Sequence, residues 1–128
     1  MRIILIFAFP VMLLSFGCQK EKNASIVGRW VLTDYLADPG NGSGTWQKAD
    51  SQNPKYIEFT ASGEYIPHDT AGNYNRYEIL GDSAIRFTRT IPPTRQETII
   101  HYTFSPTKLR LLPRCIEGCG YVYKPAPR

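Results

Sequence analysis

From Ile26 onward the chain is a series of short β-rich runs, each cut off by turn-forming residues before any helical period can establish itself. Glycine and proline break both regular structures, and they are spread along the chain at ten residues each. The first run, Ile26 to Leu36, ends at Asp38-Pro39-Gly40-Asn41-Gly42-Ser43-Gly44, and Thr45 to Ala49 follows as a short return strand. Tyr56-Ile57-Glu58-Phe59-Thr60 alternates, with Ile57 and Phe59 on one face. It forms a hairpin with Glu64-Tyr65-Ile66 across Ala61-Ser62-Gly63. Tyr74 to Leu80 and Ala84 to Thr88 flank Gly81-Asp82, a second hairpin. Thr98 to Phe104 and Lys108 to Leu112 flank Ser105-Pro106-Thr107, a third, and Gly120 to Lys124 closes the series. The proline-rich Thr90 to Thr94 belongs to a loop or a sheet edge, because proline cannot donate to a ladder.

Eight strands, or nine if Trp46 heads its own, joined in sequence order make an antiparallel meander. A meander this long removes its exposed edges most simply by closing on itself, so the expected fold is an all-β barrel; a two-sheet sandwich is the alternative. The length fits one domain, residues 26–128, with a modest core.

The N-terminus reads as an export signal. Arg2 precedes an apolar run from Ile3 to Phe16, shorter than the roughly 18 residues that a permanent span needs, and Gly17 stands before Cys18. Leu13 to Lys22 resembles a bacterial lipobox, with leucine one place early at Leu14. The resemblance implies a signal over 1–17, acylation of Cys18, and a polar tether over 18–25. Several acyl chains on one residue anchor durably, since each buried methylene contributes ~0.8 kcal/mol. Gln19-Lys20-Glu21-Lys22 also resembles charged sorting signals of Gram-negative surface lipoproteins. The expected location is the outer membrane, on either its periplasmic or its surface side.

Gly28-Arg29-Trp30 begins the first strand and a long loop follows it. This is similar to the lipocalin and related calycin barrels, in which such a Trp seats across the closed floor and the first loop partly covers the open end. Together with Ala37 to Gly40, Gly42 to Trp46, Ile57-Glu58-Phe59 and Cys115 to Cys119, it resembles small lipocalin-like lipoproteins of Gram-negative bacteria. The chain is shorter than a true lipocalin and has no helix pattern after its last strand. The basic residue that packs over the floor Trp in that family has two candidates here, Arg114 and Lys124.

In an oxidising compartment Cys115 and Cys119, an even pair, read as a disulfide. They bracket Ile116-Glu117-Gly118, which suits a three-residue hairpin loop with Gly118 in the left-handed position. Closing so small a ring stabilises by about 2 kcal/mol.

A net charge of +4 without a basic block does not suggest a nucleic-acid partner; Arg86, Arg89 and Arg95 are the nearest approach to one. The sequence contains no nucleophile elbow, metalloprotease helix motif, phosphate loop or dinucleotide fingerprint. His68 and His101 lack metal-ligand spacing, and Glu58 and Glu64 read as solvated residues across a hairpin. The expectation is a protein that is not an enzyme and carries no cofactor or metal. Asp69-Thr70-Ala71 and Asp82-Ser83-Ala84 resemble a bacterial O-glycosylation signal.

Two functions stay open. One is an anchored carrier that holds a small apolar or aromatic ligand on inward positions: Trp30, Ile57, Phe59, Tyr77, Phe87, Tyr102 and Phe104. The same residues can equally well fill the core. The other is a protein-binding module, an envelope adapter or inhibitor, presenting the 38–54 loop and Trp46; Trp46 can instead plug the barrel end.

Overall fold

The computed structural model describes residues 25–68, 73–92, 94–115 and 118–127. The signal, Cys18, the tether up to Ala24 and Thr70 lie outside them. Nine strands follow one another: β1 (Gly28–Ala37), β2 (Thr45–Lys48), β3 (Tyr56–Phe59), β4 (Tyr65–His68), β5 (Arg76–Leu80), β6 (Ala84–Arg89), β7 (Gln96–Ser105), β8 (Lys108–Leu112) and β9 (Gly120–Pro125). All pairings are antiparallel, and the described residues include no helix.

The hydrogen-bonded order is β4-β3-β1-β9-β8-β7-β6-β5, with β2 pairing β1 beside β3. The first and last strands therefore pair with each other, Trp30 opposite Pro125 through Leu36 opposite Gly120, and the sheet curls until β4 meets β5. That seam is the one place where the barrel is not sealed. Among the described residues it carries a single bridge, Glu64 with Arg76, and two backbone bonds, from Tyr65 N to Asn75 O (3.0 Å) and from Tyr77 N to Gly63 O (3.0 Å). Its shortness has a local cause. The next residue of β4 aimed across the seam is Pro67, which has no N–H, and at the other end the turn after Thr60 carries the chain away. Side chains help bridge the gap: the Tyr77 hydroxyl donates to Thr60 O (2.6 Å) and the Arg76 guanidinium to Ser62 O (3.3 Å).

β1 changes partner along its length. Its first half pairs β3 and its second half β2, and the switch falls at a bulge between Leu32 and Asp34. Opposite the bulge the chain leaves the sheet after Ala49, whose N–H donates to Thr33 O, and rejoins at Lys55, whose carbonyl accepts from Leu32 N. Residues 49–55 are thus an excursion at the barrel mouth.

The core follows the period-2 alternation of the strands. Ile57, Phe59, Ile85, Phe87, Leu109 and Leu111 are inward and buried, as are Ile100, Tyr102 and Tyr123. Trp30 closes the floor: its indole N–H donates to Ile26 O (2.8 Å), and its ring meets Phe104 edge-on at 5.9 Å. Neither Arg114 nor Lys124 stacks on it; both are exposed, Lys124 opposite Val31 on the outer face.

Several strand ends differ from expectation by one or two residues, and two differences have a clear cause. β4 runs on through Pro67 and His68, past the expected end at Ile66, because their pairing to Ile57 and Tyr56 of β3 holds the segment in the sheet. The β8–β9 connection spans 113–119 rather than three residues, since Pro113 cannot extend the ladder. Cys115 and Cys119 stand within that connection at disulfide distance, Cα–Cα 5.8 Å, and Gly118 has the expected positive φ of 37°.

Candidate mouth cavity

The inward alternation does not stop where the ladders stop. On the β3 path it reads Phe59, Ile57, Lys55 from floor to mouth, and on β9 Tyr123 then Tyr121. At the floor these positions are apolar and packed. Toward the mouth they open into a cavity of about 630 Å³, within the range of sites for small organic molecules.

Its wall is Leu32, Phe87, Ile100, Leu111 and Pro113 together with five tyrosines, Tyr35, Tyr65, Tyr74, Tyr121 and Tyr123. The 49–55 excursion supplies the rim with Ala49, Asp50, Asn53 and Lys55, and β2 adds Lys48. The element that borders the mouth is therefore this excursion. The 38–44 loop is instead held in a tight turn by the Asp38 carboxylate, which accepts from Gly40 N (2.8 Å) and Gly42 N (3.2 Å).

Tyr123 forms the deep end. It is 4% exposed, and among the described residues its hydroxyl has no hydrogen-bond partner. Burial pushes its phenol well above the ordinary 10.0, and the nearby phenols of Tyr65 and Tyr121 add to the shift. Three phenols thus line one stretch of the cavity, Tyr123 at its deep end and Tyr121 toward the mouth. Phe87 packs against Tyr65 at 4.8 Å in an edge-to-face contact and braces the wall.

The rim charges are not equivalent. Lys48 Nζ is 2.7 Å from Asp34 Oδ1, and this bond holds the Asp34 carboxyl below its usual value. The Asp50 carboxylate accepts from Gln52 N (2.8 Å) and Asn53 Nδ2 (2.9 Å) and is likewise held low by those bonds. Lys55 has no ion pair among the described residues.

Of the seven inward positions expected from sequence, Phe87 lines this cavity. Ile57, Phe59 and Tyr102 are buried core, and Tyr77 spends its hydroxyl at the seam. Trp30 and Phe104 back a second recess of about 620 Å³ at the floor end, bounded by Val27, Arg29, Pro106 and Pro127. Lys55 and the tyrosines were accessible to the same reasoning. Extending the alternation one step past each predicted strand end finds Lys55, and reading Tyr121 and Tyr123 as one face finds the phenols.

Trp46 is neither at the mouth nor in a loop. It stands on β2, 40% exposed, and lies on the outer wall across β9, where a Cβ on Gly120 would come within 2.9 Å of its ring. The Arg110 guanidinium stacks over it at 4.8 Å.

The remaining candidates are dispersed. His68 Nε2 is 3.9 Å from Glu58, which also faces Arg29 at 3.7 Å, while Glu64 lies apart at the seam and His101 is exposed on β7. Arg86 and Arg95 each pair with a carboxylate, Glu78 and Glu97. Ser83 is exposed in the β5–β6 turn. Among the described residues no three His, Cys, Asp or Glu side chains gather as a metal site. Comparison with protein-family models, with curated proteins and with solved structures returns no match.

Proposed function

We propose that this protein is a lipid-anchored envelope lipoprotein whose barrel holds a small, largely apolar or aromatic ligand, without catalysing a reaction on it. The mouth cavity carries the reading: about 630 Å³, walled by apolar and phenolic side chains and opening at one end. Such walls suit ring-bearing molecules, since tyrosine offers a flat face and a donor together. The wall of the barrel also fits a lipocalin-like calycin architecture, being an antiparallel barrel with a Trp floor. The chain enters the barrel beside that floor, through Ser25 and Ile26, so an anchor at Cys18 would leave the mouth facing away from the bilayer.

The test is native mass spectrometry of the mature protein, taken from the envelope before and after organic extraction. An extractable adduct of small-molecule mass is expected. A clean mass, together with no uptake of apolar aromatic probes, would sink the proposal.

One observation favours a second reading, a protein-binding module. The Trp46 and Arg110 pair is a half-exposed aromatic with a stacked guanidinium, the residue types that anchor protein interfaces. A photo-crosslinker at position 46 should then give a discrete protein adduct in intact envelopes. Products with lipid alone would count against it.

A further inference from the structure

Resting on the carrier reading, we infer that the ligand is an amphipathic anion: a ring-bearing apolar body inside the cavity and a carboxylate, sulfonate or phosphate at the rim on Lys55. The argument is one of graded polarity along a single cavity. Leu32, Phe87, Ile100 and Leu111 supply its apolar surface, and the phenols of Tyr65 and Tyr123 supply the neutral polarity deeper in, with Tyr121 nearer the mouth.

Below the phenols the inward residues are Ile57, Phe59, Ile85 and Leu109, each essentially inaccessible. A charge carried there would lose its hydration without a counter-ion, which excludes the deep end for an ionised group. A neutral acceptor such as a carbonyl or ether suits it, because Tyr123 lines the cavity there and, among the described residues, no hydrogen bond engages its hydroxyl.

At the rim the balance reverses. Lys48 and Lys55 are the cations that line the cavity; Lys48 is engaged by Asp34, and the rim carboxylate of Asp50 is held by its own loop. Asp50 keeps its negative charge, but its oxygens are occupied by the amides of its own loop; the cation without an ion pair among the described residues is Lys55, whose position continues the inward face of β3. A ligand anion placed there stays partly solvated, so desolvation costs little while the attraction remains.

The experiment uses polypeptide 19–128, which contains every strand and every described core contact. Its probes are two fluorophores with the same ring system, anilinonaphthalenesulfonate and the uncharged phenylnaphthylamine. The expected result is that both bind and that the anion binds about tenfold more tightly, the equivalent of about 1.4 kcal/mol. Lys55→Met should abolish that preference by weakening the anion alone, at an unchanged thermal midpoint. Lys48→Met should leave most of it in place. Equal affinities, or a preference that survives Lys55→Met, would overturn the anion inference and leave the carrier reading standing. Failure of both probes to bind would instead remove the carrier reading itself.

Discussion

At the scale of single residues, Tyr123 shows how one side chain can serve packing and leave a chemical opportunity. Its ring completes the core against Leu109 and Leu32 of the neighbouring strands, while its hydroxyl faces the cavity side. The energetic consequence is alkaline. The folded protein holds this phenol neutral well past 10.0, whereas the unfolded chain ionises near that value. Stability is therefore fully present below pH 10 and falls as pH rises above it, by up to about 1.4 kcal/mol per pH unit for the one group. Tyr77, also raised by burial, contributes in the same direction. Tyr123→Phe should flatten most of the loss between pH 10 and 11.5 in denaturant titrations followed by circular dichroism, with no loss at neutral pH. An unchanged alkaline slope would show that the phenol is not desolvated.

At the scale of elements, the weak point is the β4–β5 seam, and its weakness is written in Pro67. Where a ladder lacks donors, the Tyr77 hydroxyl bond to Thr60 O becomes a structural tie, backed by edge-to-face packing of Tyr77 on Phe59 at 4.9 Å. Tyr77→Phe keeps the packing and removes the tie, so it should lower unfolding free energy by about 1 kcal/mol. The β1–β2–β3 arrangement works in the opposite sense. One bulge in β1 lets two short strands share its edge, and the excursion between them becomes the cavity rim. The hairpin partners and most strand ends to within a residue were legible beforehand, because turn chemistry and alternation are local, whereas the pairing of β3 with β1 rather than β2 was not. The extension of β4 through Pro67 and His68 was not, since only the register with β3 keeps a proline in a strand.

At the scale of the whole molecule, closure is uneven. The chain ends are clasped by a long β1–β9 pairing, extended by the bond from Ala126 N to Arg29 O (2.9 Å), while β4 and β5 touch over a few residues. Opening should therefore begin at the seam. Native-state hydrogen exchange is expected to show the Tyr65 and Tyr77 amides exchanging by local opening, well before the ladder amides of β1 and β9, which should require global unfolding. Uniform protection around the barrel would refute a preferential gate at the seam. Such a gate also matters for binding, because Tyr65 belongs to the cavity wall.

The sequence by itself determined the all-β class, the meander, the inward set of Ile57, Phe59, Phe87 and Tyr102, and the short-range approach of Cys115 to Cys119. Each of these depends on period, turn residues or separation along the chain, which are local properties. Only the tertiary structure decided which inward residues meet a cavity and which are sealed in the core. It also decided that Trp46 lies on the outer wall over Gly120, and that Lys48 has an ion pair while Lys55 has none among the described residues. Those outcomes depend on the curvature of the sheet and on partners far apart in sequence, such as Arg110 for Trp46 and Tyr65 for Tyr123, and no local pattern encodes them.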